Sequence, residues 1–225
     1  MKCRRCGQPL FGQHSLAALI SLQPLIDETL CNQCRELFAR IDQQSCCPDC
    51  GRAEQTGRCR DCMRWAQLGV PALQNRGLYL YNDAMKELIQ QYKGIGDYNL
   101  RTCFAADVER LRMVRGATFV PLPTEAKHFA VRGFDPVVGL FGTLPLKMWL
   151  AKADTEQPQA QKNRAARLRT PQSFRCVVPA KTLNRTRLIC LLDDLYTTGT
   201  TLHHAAAAIR DAGYSGKVIS RTLIR

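Results

Sequence analysis

The sequence predicts an α/β fold built on a parallel sheet, preceded by a small cysteine-rich module that binds metal. Eight of the twelve cysteines form four Cys-x-x-Cys pairs before residue 63. Apolar periodicity begins only after that region, with a strand-then-helix pattern near Leu78. The last part reads strand, acidic and hydroxyl-rich turn, helix, strand, and such a βαβ unit implies parallel pairing.

A chain of 225 residues accommodates one α/β domain of about 150 residues plus a small module. With 45% hydrophobic and 23% charged residues, it has the apolar content for a packed core, which excludes disorder driven by charge. No apolar run reaches the roughly 20 residues of a membrane helix, and the best candidate, 137–150, is broken by Pro145 and Lys147. The opening Met1-Lys2-Cys3-Arg4-Arg5-Cys6 lacks the apolar core of a signal peptide, so a cytoplasmic protein is expected. The formal charge of +13 suits a polyanionic partner, either nucleic acid or a phosphorylated small molecule, between which Coulomb attraction does not discriminate.

In a reducing compartment, paired cysteines indicate metal rather than disulfides. Zinc prefers four tetrahedral thiolates, and one Cys-x-x-Cys turn supplies two, so four pairs make two sites. Consecutive pairing is expected: Cys3 and Cys6 with Cys31 and Cys34, Cys47 and Cys50 with Cys59 and Cys62. A crossed arrangement is the alternative, and Cys46 is an alternative ligand to Cys47, although Cys47 keeps the two-residue spacing to Cys50. Four protein ligands leave no position for substrate, which makes both ions structural. A module of about 60 residues buries little apolar surface, and metal supplies the missing folding free energy. Cys103, Cys176 and Cys190 are isolated and read as ordinary buried thiols.

The module is expected over 1–68 and the α/β domain over 69–225. Residues 78–81 read as a strand, and Met85, Leu88, Ile89 and Tyr92 recur at helical spacing behind the cap Asn82 or Asp83. Residues 100–113 read as a helix, and 117–122 as a buried strand leaving through Pro121 and Pro123. Asp135 caps a helix whose first position is Pro136 and which runs through Phe141 toward Trp149. Residues 152–175 turn polar and basic and read as a mobile loop or exposed helix. Strand 188–192, loop 193–200, helix 201–212 and strand 218–224 follow.

The sharpest motif is Leu191-Leu192-Asp193-Asp194-Leu195-Tyr196-Thr197-Thr198-Gly199-Thr200-Thr201. Thr197, Thr198, Gly199, Thr200 and Thr201 offer amides and hydroxyls that can surround a phosphate, and the following helix adds its positive end. Adjacent carboxylates at a strand terminus, Asp193 and Asp194, can accept hydrogen bonds from ribose hydroxyls and orient a hydrated Mg²⁺. Strand ends are also where open α/β sheets bind ligands. An Asp-rich turn with a Thr helix cap is the bland alternative. No G-x-x-x-x-G-K-[ST] loop exists, which argues against an ATPase, and His203 and His204 are expected to face solvent.

This loop resembles the phosphoribosyl pyrophosphate signature of type I phosphoribosyltransferases. Together with the four cysteine pairs, with Tyr92-Lys93-Gly94-Ile95-Gly96-Asp97, and with Val120-Pro121-Leu122-Pro123 followed by Arg132-Gly133-Phe134, the chain is similar over nearly its whole length to the ComF family (competence protein F, or GntX-like). The resemblance implies a double zinc ribbon followed by a type I phosphoribosyltransferase-like domain. It gives Asp193 and Asp194 the ribose, as the candidate catalytic pair. It gives residues 197–201 the 5′-phosphate, and places Lys93, Arg132 and Gly133 near the pyrophosphate. The basic stretch with Lys162, Arg164, Arg167 and Arg169 matches a flap over the site and is a candidate DNA contact. Two motifs depart from the family: the usual Arg-Gly-Phe-Asn-Gln reads Arg132-Gly133-Phe134-Asp135-Pro136, and the usual Arg-x-x-Asn reads Arg169-Thr170-Pro171-Gln172. The implied role is in natural competence and DNA uptake, with phosphoribosyl pyrophosphate, single-stranded DNA and other uptake proteins as partners. Phosphoribosyl transfer to an acceptor is the alternative.

Overall fold

The structure is a computed structural model that describes residues 1–10, 20, 28–153 and 172–225. Strands β1 (Gln74–Tyr79), β2 (Ala117–Pro121), β3 (Leu150–Lys152), β4 (Phe174–Cys176), β5 (Leu188–Leu195) and β6 (Lys217–Ile224) form two sheets. The main sheet has the order β1-β6-β5-β2, parallel throughout, and β3 and β4 make a separate antiparallel pair. Among the described residues, no helix is long and apolar enough to cross a membrane.

Alternation along β5 divides the core. Cys190 and Leu192 face one side, packed with Met85, Leu88, Tyr92, Phe104, Phe119 and Leu223. Ile189 and Leu191 face the other, packed with Leu183, Leu202, Ala205, Ile209 and Val218. Burying each Leu, Ile, Val, Met or Phe among these stabilises the fold by about 1.5–3 kcal/mol. The cysteines divide in the same way. Cys3 and Cys34 continue the first cluster, whereas Cys47, Cys50, Cys59 and Cys62 belong to the second.

Between these clusters the chain runs along β1. Ile41 N–H donates to Leu78 O (3.1 Å), Leu80 N–H to Ala39 O (2.9 Å) and Asn75 N–H to Asp49 O (2.7 Å). At the other margin Lys147 N–H donates to Phe119 O of β2 (2.8 Å). Buried Asp107 fastens the amino-terminal part further, accepting from Arg40, Tyr79 and Arg110.

The helices are α1 (Asn32–Glu36), α2 (Arg60–Gln67), α3 (Asp83–Gln90), α4 (Ala105–Glu109), α5 (Ala126–Arg132), α6 (Pro136–Leu140), α7 (Ala180–Leu183) and α8 (Thr200–Asp211). Asn82 caps α3 through Met85 N–H, and Asp135 caps α6 with Pro136 at its first position, as the sequence predicts.

Several boundaries differ from expectation. β1 begins at Gln74, because buried Asn75 satisfies its amide with Cys50 O, Thr222 Oγ1 and Ser220 Oγ, allowing a polar residue inside a strand. The expected helix 100–113 is α4 flanked by 3₁₀ turns at Tyr98–Thr102 and Arg110–Met113, while Leu100, Phe104, Val108 and Leu111 still reach the core. α6 stops at Leu140, short of Gly142 and Pro145. β5 continues through Asp193 and Asp194 to Leu195, so both acids occupy the last rungs of a strand rather than a loop. Lys162, Arg164, Arg167 and Arg169 lie outside the described residues.

Candidate ligand site and metal centres

The sheet ends where Tyr196 N–H donates to Ile224 O (3.0 Å), and the chain then turns through Thr197, Thr198 and Gly199 into α8. Gly199 has φ +82°, a left-handed conformation, and a Cβ there would lie 2.2 Å from Tyr196 Oη, so glycine is needed twice over. Carbonyls of this turn are held from behind: Arg225 donates to Tyr196 O (3.2 Å) and Thr197 O (3.0 Å), and Trp65 Nε1 to Thr198 O (2.9 Å). Among the described residues, no N–H of residues 197–201 donates to another backbone group. The buried hydroxyls of Thr198 and Thr200 share a hydrogen bond (3.0 Å). Free amides at the start of a twelve-residue helix are of the kind that can hold an anion.

Beside it stands a mixed cluster of charge. Asp194 is buried and ion-paired with Lys93. Half-buried Asp193 accepts from Asp194 N–H (2.9 Å). Burial pushes the Asp193 carboxyl up to about 6, against the opposing pull of Lys93 and Lys152, with Asp135 adding to the rise. Burial also pushes Lys93 down to about 8, opposed chiefly by Asp193. Burial and neighbouring charge thus pull in opposite directions on both groups, and the Asp194 contact further favours the Lys93 ammonium.

Lys93 owes its place to a π-helical turn, Gln91–Ile95, appended to α3. Arg132 Nε donates to Lys93 O (2.9 Å), while Phe134 stacks on Tyr92 (5.1 Å) and Tyr98 (4.8 Å), packing the Arg132-Gly133 turn against the lysine segment. Asp135, the departure from the family pattern, accepts from Val137 N–H (2.9 Å), Val138 N–H (3.0 Å) and Thr124 N–H (2.7 Å). Its carboxylate oxygens thus engage backbone donors, a cap that also anchors the loop leaving β2.

The cysteines group consecutively. The sulfurs of Cys3, Cys6, Cys31 and Cys34 lie within 4.8 Å of one another, as do those of Cys47, Cys50, Cys59 and Cys62. Tetrahedral zinc with Zn–S bonds of about 2.3 Å sets sulfurs about 3.8 Å apart. Cys6 to Cys31 (3.7 Å), Cys47 to Cys62 (3.8 Å) and Cys50 to Cys59 (3.5 Å) fit that spacing. Cys46 stays out, its thiol donating to Gln43 O (3.4 Å). Cys50 is pushed well below the usual thiol range, first by the Cys62 hydrogen bond and then, against burial, by the Arg225 guanidinium. Burial raises Cys3, yet the Cys31, Cys6 and Arg5 amides bring it down to about 6. Partner thiols in the same clusters move the opposite way: Cys34, Cys59 and Cys62 are all pushed up. Cys103 and Cys190 are pushed up to about 12 by burial and are inert core thiols.

No protein-family model matches the chain. It is 33% identical over 219 residues to Competence protein ComFC of Streptococcus pneumoniae (strain ATCC BAA-255 / R6), covering 95% of both chains. It is 32% identical over 234 residues to Competence protein ComFC of Bacillus subtilis (strain 168), covering 99% of this chain and 94% of that one. The chain belongs to the ComFC family.

In this ComFC-family protein the residues singled out from sequence at 93, 132–133 and 193–201 converge at the carboxyl ends of β2 and β5. Sequence reasoning missed their supports. Trp65, Tyr196 and Arg225 hold the loop from behind. Lys152, which influences Asp193, pairs with buried Glu125 (3.1 Å), which also meets Lys127 (3.3 Å). One expectation is corrected: His203 does not face solvent. It is 5% exposed, stacked under Trp65 (ring centroids 4.4 Å), and burial pushes its imidazole down to about 4. The covering indole comes from a distant part of the chain, so nothing near His203 in sequence announces it.

Proposed function

We propose that the protein serves competence in the cytoplasm as a binder of phosphoribosyl pyrophosphate or a related ribose 5-phosphate. The observation that carries the reading is the set of backbone amides at 197–201 without backbone partners among the described residues, beside an Asp193/Asp194/Lys93 cluster. In it, Thr197, Thr198, Gly199, Thr200 and Thr201 hold the 5′-phosphate, and Asp193 with Asp194 receives the ribose hydroxyls. Lys93, Arg132 and Gly133 attend the pyrophosphate. Asp193, a half-buried carboxylate, suits a hydrated Mg²⁺ accompanying the diphosphate, whose chemistry would be to neutralise its charge. Two zinc ions in the cysteine clusters are structural. Calorimetric titration with ribose 5-phosphate and with phosphoribosyl pyrophosphate plus Mg²⁺ tests this. Saturable binding that falls at least tenfold in Asp193→Asn and Thr198→Val supports the reading, and no binding by the wild type overturns it.

Two activities extend this reading. The net charge of +13 supports contact with single-stranded DNA, with Lys162, Arg164, Arg167 and Arg169 as candidate contacts and other uptake proteins as partners. Salt-sensitive binding of a labelled single strand, weakened when Lys162, Arg164 and Arg167 are neutralised, is expected; absence of binding at low salt removes it. Lys93, Arg132 and Lys152 around the acids also favour stabilisation of a departing diphosphate, hence phosphoribosyl transfer. Pyrophosphate release that requires an added base acceptor would establish transfer, and binding without release would leave a recognition site.

A further inference from the structure

We propose that the second cysteine cluster positions the phosphate loop through Arg225 and Trp65, so that metal binding at Cys47, Cys50, Cys59 and Cys62 and ligand binding at 197–201 are thermodynamically linked. The inference rests on the ribose-phosphate reading for its ligand arm only.

Arg225 straddles the two sites. Its Nε donates to Cys50 O (3.1 Å) and its Nη2 to Cys50 Sγ (2.9 Å), while its Nη1 donates to Tyr196 O (3.2 Å) and Thr197 O (3.0 Å). The same guanidinium lies over the Tyr196 ring, 4.5 Å from its centroid. A planar fork of donors can do this; a lysine ammonium cannot. Trp65 makes the second link, because α2 follows directly on Cys59 and carries Cys62, and one turn later its indole reaches Thr198 O (2.9 Å).

Planar trans peptides convert these bonds into ligand geometry. In each peptide unit the carbonyl and the next residue's N–H point in opposite directions. Pinning the carbonyls of Tyr196, Thr197 and Thr198 therefore aims the N–H groups of Thr197, Thr198 and Gly199 to the opposite side. Those three belong to the amides that lack backbone partners among the described residues. The cradle is thus pre-oriented from the cysteine cluster, which lowers the ordering cost of capturing an anion. Loss of metal would free Cys59 and Cys62, release α2, and remove the thiolate charge that Arg225 faces. The first cluster lies in the other core and touches α3 instead, where Arg5 spans Cys34 (4.0 Å) and Glu87 (2.9 Å).

Binding linkage is reciprocal, so ligand must tighten metal at the second cluster and leave the first alone. The full chain, loaded with ¹¹³Cd at both clusters, is titrated with ribose 5-phosphate and followed by ¹¹³Cd NMR. One cadmium resonance is expected to move, the same one that shifts in Arg225→Lys. Chelator competition with zinc-loaded protein is expected to show about 5–20-fold tighter metal at that site with ligand saturating. Arg225→Lys and Trp65→Phe are expected to keep both metals but bind ribose 5-phosphate roughly 3–30-fold more weakly, and to abolish the reciprocal tightening. A purely structural role would instead lower metal content and affinity together. Both resonances responding alike, neither responding while ligand binds, or wild-type affinity in both variants would overturn the linkage. If the wild type binds no ribose phosphate, the ligand reading fails, and hydrogen exchange decides the positioning: amides of 197–203 must exchange faster in Arg225→Lys and Trp65→Phe than in wild type, and equal exchange refutes it.

Discussion

Replacing Gly199 by alanine combines two penalties that the structure allows to be separated. The first is backbone: φ is +82°, and an L-residue in this region costs about 1–2 kcal/mol. The second is steric, since the new Cβ would sit 2.2 Å from Tyr196 Oη and 2.5 Å from Tyr196 Cζ. Tyr196 cannot swing away freely, being 2% exposed and covered by Arg225. Forcing an extra methyl into such packing costs about 1–3 kcal/mol. The sum is about 2–5 kcal/mol, or a fall in melting temperature of roughly 4–20 °C for a chain of this size. Gly69 isolates the backbone share, because its φ is +69° and a Cβ there meets nothing within 4 Å. Gly69→Ala should therefore lower the melting temperature by only about 2–8 °C and leave ligand affinity intact. Scanning calorimetry of both variants, with calorimetric titration of ribose 5-phosphate, is the assay. Equal melting losses in the two would show that Tyr196 gives way without cost. Wild-type affinity in Gly199→Ala would refute the placement of the phosphate in this turn.

Affinity for ribose 5-phosphate should be greatest between about pH 6 and pH 8, where Asp193 is a carboxylate and Lys93 an ammonium. The stability signs are separate: the raised Asp193 pKa makes stability fall as pH rises from about 4 to 6, and the lowered Lys93 pKa makes it fall as pH drops from 10.5 to about 8. The ligand's own phosphate titrates near pH 6, so Asp193→Asn should flatten only the protein's part of the acidic limb, and Lys93→Met should remove the alkaline one; a flat profile from pH 5 to 9 in wild type would contradict this. Asp135→Asn should destabilise by about 1–3 kcal/mol, because the amide turns a donor toward one of three backbone N–H groups; unfolding in urea measures it, and no change would show the cap to be dispensable. Elemental analysis should find two zinc ions per chain, one after Cys59→Ser and still two after Cys46→Ser. Loss of an ion in Cys46→Ser would put the wrong sulfur in the cluster.

What could be read from the sequence was what is local. Four Cys-x-x-Cys turns and the Asp193 to Thr201 stretch carry their patterns within a few consecutive residues, so both stand out in the sequence. The Asp135-Pro136 cap is equally local and is found where expected. The β1 boundary was misplaced because buried Asn75 resembles a loop residue until Cys50, Ser220 and Thr222 come together around it. His203 and Arg225 show the same limitation at the site. One is buried by an indole and the other is engaged by a sulfur and three carbonyls, all contributed from far along the chain. Residues whose partners are chosen by tertiary folding leave no periodic trace.

Segment 39–49 occupies the outer hydrogen-bonding edge of β1, and Lys147 occupies that of β2. Among the described residues, each margin of the four-stranded sheet thus meets another part of the chain, which leaves a shorter row of spare amides for a foreign strand to zip onto. Strand addition at the margins of this four-stranded sheet is thereby disfavoured, and a partner meeting it there engages side chains and surface charge instead.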